Sequence, residues 1–191
     1  MIRVAGLDLS LTSTGVARVT VDDDGTVATH AEAIPSSAVS DNGVEPRLMR
    51  LHYLSHLIAD SIGWSADLVL IEAPTYARNV TGSSHDRAGL WWLTVDRIST
   101  LEPMADIREV HASHLKIYAT GKGTRVSKQA VNDAARATWG HLFEIPPGKG
   151  VDDIADAVTL AALGAHMLGH PLVPLPDERA RAVAMTKLRK D

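Results

Sequence analysis

From Asp152 to Leu168 the chain reads DDIADAVTLAALGAHML, a helix-length stretch that is almost wholly apolar beyond its first turn and yet carries Asp156 inside the apolar run. A lone buried carboxylate is expensive, so the fold that buries this helix must also compensate the charge. Asp153 and Asp156 stand three apart and project from one helical face. Both can therefore point at one place, where a bound cation would offset their desolvation. A capping role for Asp152 and a favourable dipole position for Asp153 account for the first turn alone; they leave Asp156 unexplained. Asp152 and Asp156 are four apart, so the spacing leaves the choice between Asp152 and Asp153 open.

The rest of the chain predicts what that helix packs against. Residues 2–9 form an apolar run that includes Gly6 and Asp8, short enough for a central strand buried on both faces. Residues 14–21 and 26–34 are rich in Val, Thr and Ala, and Asp22-Asp23-Asp24-Gly25 between them is a hairpin turn. Helical spacing over residues 46–62 ends at Gly63. Residues 67–73 (DLVLIEA) make a second buried-type strand that ends at Glu72, because Pro74 forbids simple continuation. A helix over 85–101, a strand over 106–111, a short helix over 113–118, a loop over 120–125 and a helix over 127–139 precede the acidic helix. This order predicts an α/β fold, a mixed five-stranded sheet with helices on both faces.

Ligands of such sheets gather at strand ends near the centre. Neighbouring central strands would bring Asp8 and Glu72 together, and like charges that close repel unless protonated or shared by a cation. Taken singly, Asp8 reads equally well as a turn residue in the Ser- and Thr-rich segment 8–15, and Glu72 as a solvated strand-end charge. Together with the helix they form a set at converging element ends.

Composition narrows the chemistry. The absence of cysteine among 191 residues excludes disulfides and thiolate ligands and favours a hard, oxygen-loving cation such as Mg²⁺. The hydrophobic share of 45% suits one core, predicted over residues 1–170, with a charged tail over 171–191. No apolar run approaches the roughly 20 residues that span a bilayer, so a soluble, cytoplasmic protein without membrane partners is expected. The net charge of −4 disfavours a polyanion partner overall. Within residues 108–149, however, Arg108, Lys116, Lys122, Arg125, Lys128, Arg136 and Lys149 outnumber Glu109, Asp133 and Glu144 and offer a basic face. The pairs His52/His56 and His166/His170 have the spacing of helical zinc ligands but lack the glutamate of that motif. Gly121-Lys122-Gly123-Thr124 lacks the pattern of a nucleotide-binding loop.

Three acidic segments, Gly6-Leu7-Asp8 through Thr14-Gly15-Val16-Ala17, Val69-Leu70-Ile71-Glu72, and Asp153-Ile154-Ala155-Asp156-Ala157-Val158, resemble in order the motifs of RuvC-type Holliday junction resolvases. Between them, Lys116, Thr120-Gly121-Lys122-Gly123 and Lys128-Gln129-Ala130-Val131 resemble that family's glycine loop and lysine-bearing helix start. Leu9 and Ser10 stand where the family usually has proline and glycine, Pro74 closely follows the acidic strand, and the loop before Lys128 is one residue longer. The resemblance implies a ribonuclease H-like fold and a homodimer that nicks branched, four-way DNA with Mg²⁺ or Mn²⁺. Catalytic metal ligands would be Asp8, Glu72, Asp153 and Asp156, with Asp8 bridging a pair of ions. Lys116 and Lys128 would hold phosphates near the scissile strand, Lys122 and Arg125 would add phosphate contacts, and Tyr76 would stack on an unpaired base. The helix over 85–101, with Trp91 or Trp92, and the C-terminal tail are the candidate dimer surfaces. An actin-like or sugar-kinase-like ATPase shares a loop like residues 8–15 but needs a second phosphate loop and a second domain, neither of which the sequence displays. A DNA-binding module without activity would not need the intact acidic set.

Overall fold

The computed structural model describes residues 1–37, 43–63, 65–74, 82–146 and 152–187. Its elements in chain order are β1 (Ile2–Asp8), β2 (Ser13–Val21), β3 (Val27–Pro35), α1 (Val44–Ile62), β4 (Leu68–Glu72), α2 (Gly82–Leu101), β5 (Asp106–Val110), α3 (Ala112–Thr120), α4 (Lys128–Trp139), α5 (Asp152–Met167) and α6 (Asp177–Lys187). The strands form one sheet in the order β3-β2-β1-β4-β5, with β2 antiparallel to β1 and β3, and β4 parallel to β1 and β5. The apolar strand starting at Ile2 is central, as expected from burial on both faces.

Two cores flank this sheet. Val4, Leu68 and Leu70 face a layer from α3, α4 and α5, whereas Ala5, Leu7, Val69 and Ile71 face α1 and α2. The alternation follows from the period-two side-chain geometry of a strand. The hairpin between β2 and β3 is closed by Asp22 N–H donating to the Thr26 carbonyl at 2.9 Å, and Gly25 takes the positive φ of 86° that the turn requires.

The close seating of α5 on β1 and β2 matters most for the site. A Cβ on Gly6 would overlap the backbone of Ala157 and Ala161, and one on Gly15 would overlap the Asp153 carbonyl. These two glycines let the first turns of α5 lie directly against the strands, and Ala155, Ala157, Ala161 and Ala162 supply the matching small surface. Gly15→Ala is therefore expected to push the start of α5 off the sheet, at a cost of about 3 kcal/mol or more for overpacking against rigid backbone. Urea unfolding with an unchanged m-value checks this; a midpoint equal to the parent's would show that α5 sits elsewhere.

Residues 177–187, read from sequence only as part of a charged tail, form α6, which packs against α3 and α5 and buries Ala182 and Thr186. Among the described residues, no helix is long and apolar enough to cross a membrane.

Candidate active site

Strand register decides which carboxylates meet. Leu7 pairs with Ile71 across the parallel β1–β4 ladder, so the next residues, Asp8 and Glu72, leave adjacent strand ends side by side. On the other flank Asp8 pairs with Gly15 of β2, the residue pressed against the Asp153 backbone. The turn between β1 and β2 is tied by Thr14, whose hydroxyl donates to the Ser10 carbonyl at 3.0 Å and accepts from Ser10 N–H at 3.1 Å. That turn places the Ser13 hydroxyl against Asp153. The end of β4 is held by Ala73 N–H donating to the Val110 carbonyl at 2.8 Å and by the Trp91 indole N–H donating to the Glu72 carbonyl at 3.2 Å.

One carboxylate oxygen from each of Asp8, Glu72 and Asp156 lies within 4.8 Å of the others. Asp156 is only 8% exposed. Asp153 stands beside this trio, hydrogen-bonded to the Asp8 carboxyl and to Ser13. Asp152 turns away and accepts a hydrogen bond from the Asn132 side chain of α4. Contact thus sets Asp153 against the Asp8 carboxyl, while Asp152 bonds Asn132 and reaches Asp153 and Asp156 as a neighbouring charge.

Packing four carboxyls into one partly buried space perturbs all of them. Burial, followed by repulsion from Glu72, Asp156 and Asp153, pushes Asp8 well above the ordinary carboxylate range. Burial and then Glu72 push Asp156 up to about 7. Burial also raises Glu72 and Asp153, although Lys128 opposes both shifts and Lys116 further opposes that of Glu72. Lys128, at the start of α4, loses hydration on burial, but Asp8, Asp156, Asp153 and Asp152 outweigh that loss and hold its ammonium above the usual lysine value. One helix-start cation and one α3 cation cannot neutralise four carboxylates. A divalent cation together with the two lysines would balance the charge, and an all-oxygen donor set without histidine or sulfur suits a hard ion such as Mg²⁺ or Mn²⁺.

The predicted phosphate contacts separate into two places. Lys116 and Lys128 act electrostatically on the carboxylate cluster. Lys122 and Arg125 instead line a groove between the α3–α4 loop and α4, together with Ser127 and Arg179. Tyr76 lies outside the described residues. The sequence reading missed Ser13 and Asn132, whose roles are positional; neither belongs to a pattern readable without the contact it makes. It also missed Arg179, which looked like one charge among several in a tail.

A mixed sheet in this order, with acids at adjoining central strand ends and on the helix lying over them, defines a ribonuclease H-like fold. Solved structures that share it include Holliday junction resolvases. Thermus thermophilus RuvC superposes with a TM-score of 0.59 at 18% identity, covering 88% of this chain and 97% of its own. The same protein in complex with a Holliday junction substrate gives 0.61 at 16% identity with the same coverage. The yeast mitochondrial resolvase Ydc2 gives 0.55 at 13% identity, covering 98% of this chain and 81% of its own. The fowlpox virus resolvase gives 0.53 at 14% identity, covering 87% and 99%. By sequence, no family model and no curated protein matches the chain.

Proposed function

We propose that this protein is a metal-dependent endonuclease that resolves four-way DNA junctions by paired nicks, serving DNA recombination and repair or viral DNA processing in the cytoplasm. The observation that carries this reading is the convergence of Asp8, Glu72 and Asp156 on one partly buried point, with Asp153 beside it. A donor set of that kind fits Mg²⁺ or Mn²⁺, which when bound would activate water and stabilise the departing sugar oxygen of a phosphodiester. The chain's own part is to hold four carboxylates at fixed positions from two strands and one helix. Lys128 and Lys116 add positive charge beside them, where a scissile phosphate would be held as by point charges. Lys122 and Arg125 would hold the flanking backbone, setting affinity without reading sequence. The fold's likeness to resolvases solved with junction DNA supports branched DNA as the substrate class.

One cluster cuts one strand, whereas a four-way junction presents two related strands, so we propose a two-fold homodimer. We propose α2 as its interface, since Trp92 is 64% exposed there beside the half-buried Trp91. Residues 1–170 are assigned as the nuclease domain and 171–191 as its C-terminal extension. The test is cleavage of a synthetic four-way junction beside linear duplex, flap DNA and ATP, with and without Mg²⁺, and of a supercoiled cruciform plasmid. Junction-selective, Mg²⁺-dependent cutting with a linear plasmid product is expected. Nicked circles with no linear product would point to a general nickase, and ATP hydrolysis without DNA cleavage would overturn the reading.

A further inference from the structure

α6 is joined to the basic loop and its flanking helices through the arginines Arg179 and Arg181. Arg179 donates from Nε to the Tyr118 carbonyl at 2.8 Å and from Nη1 to the Thr138 hydroxyl at 3.1 Å, and its guanidinium carbon lies 5.2 Å from the centre of the Trp139 ring. A single side chain on α6 thereby ties the last turn of α3 to the last turn of α4. Arg181 donates to the Gly121 carbonyl at 3.1 Å. Gly121 ends α3 with φ of 81°, and the chain then runs through Lys122 and through Arg125, itself at φ of 56°, to Ser127, which caps α4 by accepting from Ala130 N–H at 3.1 Å. A non-glycine residue at positive φ persists only where its surroundings hold it. Both ends of the loop are fixed, the first by α6 and the second by the cap that begins the helix bearing Lys128.

This loop forms one wall of the groove lined by Lys122, Arg125 and Arg179, and no carboxylate among the described residues lines it. Burial lowers the pKa of Arg179, so its charge is kept there against a desolvation penalty that a packed aliphatic residue would avoid. The geometric function of a planar, multiply donating guanidinium explains that choice better than packing does.

We propose that α6 sets DNA affinity from outside the cutting site: Arg179 and Arg181 are positioning residues that hold the Gly121–Ser127 loop so that Lys122 and Arg125 present their charges to the phosphates of a junction arm. The inference rests on the functional reading above and deepens it by assigning the C-terminal helix to substrate affinity. Arg179→Lys retains charge but loses the fork; Arg181→Ala removes an exposed side chain and spares the core.

The experiment measures junction binding by the full-length protein against salt, in Ca²⁺ to suppress cleavage, for the parent, Arg179→Lys, Arg181→Ala and each of these combined with Lys122→Ala and Arg125→Ala. A lost phosphate contact lowers the slope of log K against log salt by about 0.9. Both α6 variants are expected to weaken binding roughly tenfold at low salt and to flatten the slope by roughly one contact, with the loss in cleavage assays falling on KM. In the background lacking Lys122 and Arg125 charges, the α6 changes are expected to add nothing, as for residues acting through one another. Partial unfolding would lower the active fraction but leave the slope unmoved. An unchanged slope in both variants, or an equal further loss in the charge-free background, overturns the inference. A parent that binds no branched DNA overturns the functional reading and this inference with it.

Discussion

Asp156→Asn is expected to abolish junction cleavage, by about 10³-fold or more, because several kcal/mol of metal-dependent stabilisation of the reaction are lost with one buried ligand. DNA binding should remain near the parent's, since asparagine adds no bulk and the cations of the groove are untouched. The same change should raise the stability of the metal-free protein near pH 8, where the parent holds mutually repelling carboxylates in a desolvated space. A side chain whose loss inactivates and yet stabilises is held for chemistry. Single-turnover cleavage and chelator-treated thermal melts decide this. Cleavage within tenfold of the parent would remove Asp156 from the catalytic set and leave its burial unexplained.

The second large effect is a stability that falls as pH rises. Asp8, Glu72, Asp153 and Asp156 all hold protons more tightly in the folded chain than ordinary carboxyls do. Between the ordinary carboxylate range near 4 and the folded value of about 7 for Asp156, the native state thus binds more protons than the unfolded state, and stability decreases through that window. The displacement of Asp156 from 3.8 to about 7 corresponds to on the order of 4 kcal/mol. About two of those three pH units lie above pH 5, so about 3 kcal/mol is lost between pH 5 and pH 8, which in a protein of this size lowers the melting temperature by roughly 5–10 °C in chelator. Adding Mg²⁺ or Mn²⁺ at pH 8 should restore it, because a cation binds only the ionised cluster. Asp156→Asn should flatten the profile. A metal-free protein that instead gains stability from pH 5 to pH 8 would show that the carboxyls are not packed as described.

Most of the secondary structure was legible because its causes are local. The apolar runs ending at Asp8 and Glu72 could hardly be anything but buried strands, and the acidic turn before Gly25 permits little besides a hairpin. Asp156 identified itself by contrast with its neighbours, a carboxylate where only apolar side chains are otherwise tolerated. α6 did not, because DERARAVAMTK carries no strong apolar stripe. Its helix is held by what it meets, Ala182 and Thr186 against the core and Arg179 against Tyr118, Thr138 and Trp139. Gly6 within the first apolar run and Gly15 within the first acidic motif were visible in the sequence, but their use as a seat for α5 depends on a partner more than 130 residues away.

The sequence by itself determined the chemistry available to this protein: carboxylates at element ends, no thiolate to compete with them, and a basic stretch between the second and third acidic segments. Periodicity, turn propensity and the cost of a buried charge act over a few residues, so a chain states them directly. Tertiary structure alone decided which of those groups meet. Asp8 neighbours Glu72 because the β1–β4 register pairs Leu7 with Ile71. Asp153 meets the Asp8 carboxyl and Ser13 while Asp152 bonds Asn132, and Lys122 and Arg125 stand apart in a groove that Arg179 of α6 also lines. Each of these outcomes follows from sheet order and helix seating, which sum interactions across the whole chain and leave no trace in any single stretch of it.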